Sequence, residues 1–481
     1  MTIRPVLSII GMMLSTLAML MVIPAIFDFI ENDASWIVFA LSAAVTLFVG
    51  VALTLSSRAD AFRLTIRQAF LMTTLSWVVL SVFAALPFRF QQIELTFTDA
   101  IFEAVSGLTT TGATILTGLD DAPSGLLLWR ALLQWLGGIG IIVTAIAILP
   151  ALNIGGMQLF RMESSDPAEK ALPRAAQVAG GIAAIYFGLT VIWGLAYWGA
   201  GMNGLEASTH AMTTIATGGF STSDQSIGVF NSWQIEAIAI VGMLSGALPF
   251  LLYLRTIQGK WNALWHDTQV QWFLSVVLIV VFVVTAWLWL NGGVNPLTAL
   301  RLAAFNVVSV ITGTGYATSD YGTWGAFALP VFFFLMFIGG CAGSTACGIK
   351  VFRFQVLYAA AWSQIQHLMQ PHGVFVPHYN RRPVSDEVVI SVLSFFYVFF
   401  FTFTVLAVGI SMTGIDFLTA LSSAASAISN VGPALGPVSG PSGTYQTMPD
   451  TAKWMLSIGM LLGRLELFTV IVLFSRGFWR G

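Results

Sequence analysis

Apolar stretches of about twenty residues recur along the whole chain, beginning near Val6, Trp36, Ala69, Leu126, Val178, Ile235, Gln271, Phe327, Val388 and Trp454. Coiled as α-helix, each covers about 30 Å, the depth of a bilayer's hydrocarbon, so the pattern predicts about ten membrane spans. The first follows Arg4 and runs to Ile30 without a small-residue cleavage site, which marks a retained helix and not a signal peptide. After the first two spans, one pattern occurs four times: span, short semi-polar segment, loop, span.

The short segments cover residues 98–108, 205–215, 296–310 and 414–429. Each has helical patterning, is too short or too polar to cross, and begins near Asp99, Glu206, Pro296 or Asp416, residue types that suit a helix cap or first turn. A small, hydroxyl-bearing or β-branched residue and a glycine follow each segment, in Thr110-Thr111-Gly112, Ala216-Thr217-Gly218, Gly313-Thr314-Gly315 and Asn430-Val431-Gly432. Two crossings per unit return the chain to its starting side, so the units run parallel about an axis along the membrane normal. The short helices then enter from one face, with their partially negative C-terminal ends aimed at the pore centre. The chain returns as buried non-helical backbone, where glycine lets successive carbonyls face the axis and replace the hydration of a monovalent cation.

Composition agrees: 57% of the 481 residues are hydrophobic and 9% charged, against about 25% charged in a soluble domain. The net charge of -2 gives no sign of nucleic acid. With the spans placed alternately, one side collects Arg4, Arg58, Arg63, Arg67, Arg161, Lys170, Arg174, Arg255, Lys260, Lys350, Arg353, Arg381, Arg382, Arg476 and Arg480. By the positive-inside rule this side is cytoplasmic and holds both termini. The opposite loops carry Asp28, Glu31, Asp33, Glu94, Asp99, Asp120, Asp121, Asp224, Asp320 and Asp450, either ordinary solvated charges or a field that concentrates cations. Cys341 and Cys347 read as small core thiols. His210, His266, His367, His372 and His378 have no metal-ligand spacing.

Two stretches stand out within the spans. Residues 339–348, Gly-Gly-Cys-Ala-Gly-Ser-Thr-Ala-Cys-Gly, are too glycine-rich for a stable helix and break the third unit's second span. They mimic a phosphate-binding loop, but Ile349 intervenes before Lys350 and no strand precedes. Arg464 lies about midway along the last span, where a charge needs a cavity or a partner; the alternatives are a functional cation in the pore and a structural pair with Glu466.

Ser106-Gly-Leu-Thr-Thr-Thr-Gly-Ala-Thr114, Phe337-Ile-Gly-Gly-Cys-Ala-Gly-Ser-Thr345, Asn430-Val-Gly-Pro433, Leu462-Gly-Arg-Leu-Glu466, Leu133-Gln-Trp-Leu-Gly-Gly138, and Ile148-Leu-Pro150 leading to Gly155-Gly-Met-Gln158 resemble the Trk/Ktr/HKT superfamily of potassium transporters, most closely its TrkH-like bacterial members. The resemblance implies an all-α integral membrane protein with two extra N-terminal helices (1–60) and four parallel helix/pore-helix/helix repeats around a pseudo-fourfold axis, at 61–160, 161–258, 259–365 and 366–481. It implies that Gly112, Gly218, Gly315 and Gly432 are filter glycines, with potassium lined by the carbonyls of Thr110, Thr111, Ala216, Thr217, Gly313, Thr314, Asn430 and Val431. Serine at the first filter glycine accompanies sodium permeation in the superfamily; glycine at all four implies potassium over sodium.

Gly339, Gly340, Gly343, Ser344, Thr345 and Gly348 would form an intramembrane gate, with Arg464 projecting into the pore beneath the filter. Ala346 and Cys347 replace residues more often glycine in similar proteins and would stiffen that gate. Also implied are potassium as substrate with no cofactor, a lipid-embedded homodimer in the bacterial inner membrane, and a cytosolic TrkA-type nucleotide-binding regulatory subunit that docks on residues 350–382. An ion-coupled transporter of a small organic solute is the alternative and predicts inverted repeats. An enzyme needs a paired nucleophile and base or paired buried acids, which the sequence lacks.

Overall fold

A computed structural model describes residues 3–57, 65–91, 93, 95–147 and 171–480, with the backbone alone for 143–147 and 171–176. Arg58, Arg63, Glu94, Arg161, Lys170 and residues 148–158 lie outside the described residues, as do the expected unit boundaries after 60 and 160. Among the described residues seven helices are long and apolar enough to cross a membrane: Arg4–Ile30, Trp36–Ser56, Ile66–Phe90, Ser124–Ile142, Gln177–Gly199, Thr268–Asn291 and Asp386–Ser411. Two further crossings are bent, Trp233–Ala247 with Phe250–Ile257 by 93° and Asp450–Arg464 with Phe468–Phe474 by 104°. The remaining position is broken outright, with helix Ala328–Leu335 separated from Val351–Met369 by a loop.

The third unit's second span is broken where the sequence placed the break, and the second spans of the second and fourth units are bent as well. In the second unit Pro249 removes a backbone donor where the bend falls. In the fourth, Glu466 and Leu467 adopt φ of 61° and 45° immediately after the helix ends at Arg464. Arg464 is therefore the last residue of a helix and not the middle of one. The expected boundary after 365 also falls inside helix Val351–Met369, which continues to the hairpin pairing His378–Tyr379 with Arg382–Pro383.

The four short segments are helices Phe97–Leu108, Gly204–Ile215, Pro296–Ile311 and Phe417–Ser429, called pore helices one to four below. Thr96, Asn203, Asn295 and Asp416 cap them, each side chain accepting from a backbone N–H three residues on. Asp99 and Glu206 sit in first turns and Pro296 opens its helix, places where carboxylates and a missing N–H are favoured.

The second crossing of the first unit, Ser124–Ile142, is 78% buried, against 11% for Gln177–Gly199 and 22% for Asp386–Ser411. It lines the centre while the first crossings of the later units and the N-terminal pair form the perimeter, leaving Phe282, Tyr397 and Phe48 exposed as lipid contact requires. The N-terminal pair is closed by glycine: a Cβ on Gly50 would lie 2.8 Å from the Gly11 carbonyl oxygen.

Candidate functional site

The backbone beyond each pore helix follows one scheme. The N–H groups of Thr111, Gly218, Thr314 and Val431 donate to the carbonyls of Ser106, Thr213, Ser309 and Ser426, at 2.9 to 3.0 Å. Positive φ then recurs two residues apart: Thr110 and Gly112, Thr217 and Gly219, Gly313 and Gly315, Asn430 and Gly432. These equivalences correct the second unit by one residue. Its counterpart of Gly112, Gly315 and Gly432 is Gly219; Gly218 matches Thr111, Thr314 and Val431, and Ala216 falls at the end of its pore helix beside Thr109 and Thr312. Thr110, Thr217 and Asn430 hold a left-handed backbone without being glycine, strain of about 1–3 kcal/mol each that is concentrated at functional sites.

The four segments close on one another. A Cβ on Gly112 would collide with the Gly218 carbonyl oxygen, one on Gly219 with that of Thr314, one on Gly315 with that of Val431, and one on Gly432 with that of Thr111. The Gly112 position also lies 3.5 Å from the carbonyl oxygen of Thr314, two units away. The missing side chains therefore point toward a common axis, and the carbonyls of Thr111, Gly218, Thr314 and Val431 surround it. A cavity lined by Gly112, Gly219, Gly315, Gly432, Arg130 and Asp224, among others, opens above this ring.

Side chains behind the ring hold it in place. Glu103 and Arg130 form a buried ion pair of 2.9 Å; Glu103 also accepts from Thr114 and the Ile115 N–H, and Arg130 donates to the Ser221 carbonyl at 2.8 Å. His210, in the second pore helix at the place of Glu103, is buried between the Glu206 carbonyl and the Ser221 hydroxyl. Gln134 donates to the Gly218 carbonyl, Asn430 to the Thr111 hydroxyl, and Tyr445 to the Gly432 carbonyl. None of the roles of Glu103, Arg130, Gln134 or Tyr445 is expected from the sequence pattern. Glu103 and Arg130 had one signal, an acid and a base inside apolar runs.

Below the ring, the broken stretch is stitched to three units. Thr345 donates to the carbonyls of Ile215 and Gly246 and lies 3.3 Å from the Thr217 hydroxyl. Cys347 lies 3.5 Å from the Thr110 hydroxyl, and its N–H nitrogen 3.4 Å from a Cβ built on Gly313. Gly339 and Gly340 pair with Ile349 and Val351, Gly348 takes φ of 72°, and Ser344 bonds the Cys341 carbonyl. Gly343 sits farther off, accepting from the Phe250 N–H.

Arg464 is buried, donating to the Gly137 carbonyl at 3.0 Å, the Thr345 carbonyl at 3.2 Å and the Cys347 sulfur. Glu466 pairs at 2.6 Å with Arg353, so the rival pairing of Arg464 with Glu466 is not formed. Arg353 and Lys350, placed by the sequence among the cytoplasmic basic residues, are buried, and Lys350 donates to the Ala346 carbonyl in the broken stretch. Cys341 is a buried thiol as expected; Cys347 is buried too, but against Arg464. Among the described residues no His, Cys, Asp and Glu cluster has metal-ligand geometry.

Residues 36–479 match the family model described as TrkH, cation transport protein. The chain is 46% identical over 477 residues to the Trk system potassium uptake protein TrkI of Halomonas elongata, covering 99% of this chain and 97% of that one. It is 38% identical to the Trk system potassium uptake protein TrkH of Escherichia coli, covering 99% of each. Its fold superimposes on the crystal structure of the potassium transporter TrkH from Vibrio parahaemolyticus with a TM-score of 0.92, at 35% identity and with both chains covered completely.

Proposed function

This chain belongs to the TrkH family of cation transport proteins, and on that premise we propose that it carries potassium into the cell through the four-segment ring. The observation that carries this reading is the closed circuit of glycines and carbonyls, which offers a desolvated monovalent cation a ring of oxygens and no fixed anion. The twelve filter positions are Thr110 to Gly112, Thr217 to Gly219, Gly313 to Gly315 and Asn430 to Gly432.

Ions arrive from the face bearing the pore-helix N-termini, where Asp224 borders the cavity, and leave past the 339–348 loop. That loop and Arg464 form the gate: a buried guanidinium beside the pathway repels a cation until the loop carries it aside. At 4 Å and an intermediate dielectric this repulsion is of the order of 4 kcal/mol. The chain sits in the bacterial inner membrane with both termini cytoplasmic and works as a homodimer with one pore per subunit. A cytosolic nucleotide-binding subunit docks on the exposed part of helix Val351–Met369, where Tyr358, Trp362, Ile365 and Leu368 are uncovered, and on the hairpin after it.

Uptake of potassium and sodium into proteoliposomes tests the reading with the parent, Gly112→Ser and Arg464→Ala. A serine Cβ collides with the Gly218 carbonyl, so selectivity drops. Removal of the guanidinium raises potassium flux by about tenfold or more, each 1.4 kcal/mol being a factor of ten. A parent that moves neither cation, or variants that match it in both respects, would overturn the assignment.

A further inference from the structure

The second ring segment is built unlike the others. Thr109 and Thr111 share a hydroxyl hydrogen bond of 2.7 Å, and Thr312 and Thr314 one of 2.8 Å, so segments one and three brace themselves. In segment four the Asn430 amide donates to the Thr111 hydroxyl and the Met460 carbonyl. Segment two has Ala216 and Gly218 at the corresponding places and makes no such brace.

Its brace comes from outside. Gln134, fully buried on helix Ser124–Ala147, donates from Nε2 to the Gly218 carbonyl at 2.6 Å and accepts on Oε1 from the Phe220 N–H at 3.0 Å. A Cβ on Gly218 would collide with this amide, which therefore fills the volume that Thr111, Thr314 and Val431 fill with their own side chains. The place is particular to the first unit. Gly137, Gly246 and Gly463 each pass close under the carbonyl four residues before a ring glycine, that of Leu108, Ile215 or Ile428, and the residues three earlier are Gln134, Met243 and Met460.

We infer that Gln134 is a positioning residue that sets selectivity, by fixing the Gly218 carbonyl in the ring. The inference rests on the potassium reading and deepens it. Without the amide, the peptide of Gly218 lies between Thr217 and Gly219, both at positive φ, with no side chain to anchor it. A loose carbonyl can move inward onto a smaller cation, so the ring loses its discrimination against sodium while it still passes potassium.

The test compares potassium and sodium uptake into proteoliposomes by the full chain, Gln134→Met, and Gln134→Met with Gly218→Thr. Gln134→Met installs the residue of the equivalent positions, and the potassium-to-sodium ratio is expected to fall about tenfold, the effect of 1.4 kcal/mol of discrimination. The double variant fills the vacated volume with a side chain at 218, as Thr111, Thr314 and Val431 do in the other segments, and recovers most of the ratio. If Gln134→Met does not purify as a folded protein, Gly218→Ala carries the test, because its Cβ displaces the amide and the same fall is expected. A selective parent whose Gln134→Met or Gly218→Ala variant keeps the parental ratio overturns this inference alone. A parent without potassium preference overturns the potassium reading and this inference with it.

Discussion

Glu103 and Arg130 are almost wholly buried, and their contacts tie the first pore helix and helix Ser124–Ala147 to each other and to the chain returning above the ring. Removing one member leaves the other charged in a dry site, a loss of about 3–5 kcal/mol for buried pairs broken in this way. Arg130→Ala is therefore expected to lower the thermal unfolding midpoint of the purified protein well below that of an exposed substitution such as Arg480→Ala. Equal midpoints for the two variants would show that the pair does not hold the mouth together. The cation also stands 4.1 Å over the Phe220 ring, so Arg130→Lys, which gives up the planar fork, is expected to fall between parent and alanine.

The short helices and their starts were legible because caps and first turns use local chemistry that a sequence displays: Asp99, Glu206, Pro296 and Asp416 all fall where they were expected. The register of the second segment was not, because Thr217-Gly218-Gly219 offers two adjacent glycines and local pattern cannot choose between them. A longer count resolves it. Ser106, Thr213, Ser309 and Ser426 each lie six residues before the ring glycine, and this spacing selects Gly219. The bend after Arg464 had no proline to announce it, since it is made by non-glycine residues at positive φ that only tertiary packing can impose. The burial of Lys350 and Arg353 was equally hidden, because alternating spans assign a face and not a depth.

The broken loop carries its own prediction at this scale. The one hydroxyl proton of Thr345 is shared between the Ile215 and Gly246 carbonyls, an anchor worth about 0.5–1.5 kcal/mol net. Thr345→Val keeps the shape and the backbone bond from its N–H to the Gly246 carbonyl but removes the hydroxyl anchor, so basal potassium flux is expected to rise several-fold, whereas Thr345→Ser stays near the parent. Parental flux from the valine variant would remove this anchor from the gate.

At the scale of the whole molecule, the ring exists only when all four units are docked. Asn430 reaches Thr111 across 319 residues of sequence, and each ring glycine meets the carbonyl of the next unit until the fourth returns to the first. No single unit contains two ring carbonyls, so the unfolded chain offers a cation nothing comparable. A ligand that binds only the folded state stabilises it by mass action, about 2.7 kcal/mol at a hundred times its dissociation constant. Potassium chloride is therefore expected to raise the unfolding midpoint above that in sodium chloride at the same ionic strength. Screening of surface charge is alike in the two salts, so a difference between them reports ion binding. Gly432→Ala places a methyl group against the Thr111 carbonyl and should abolish that difference even where the variant remains folded. Indistinguishable midpoints for the parent in the two salts would mean that the closed ring does not select its ion by binding, and that discrimination would then have to arise kinetically at the loop and Arg464.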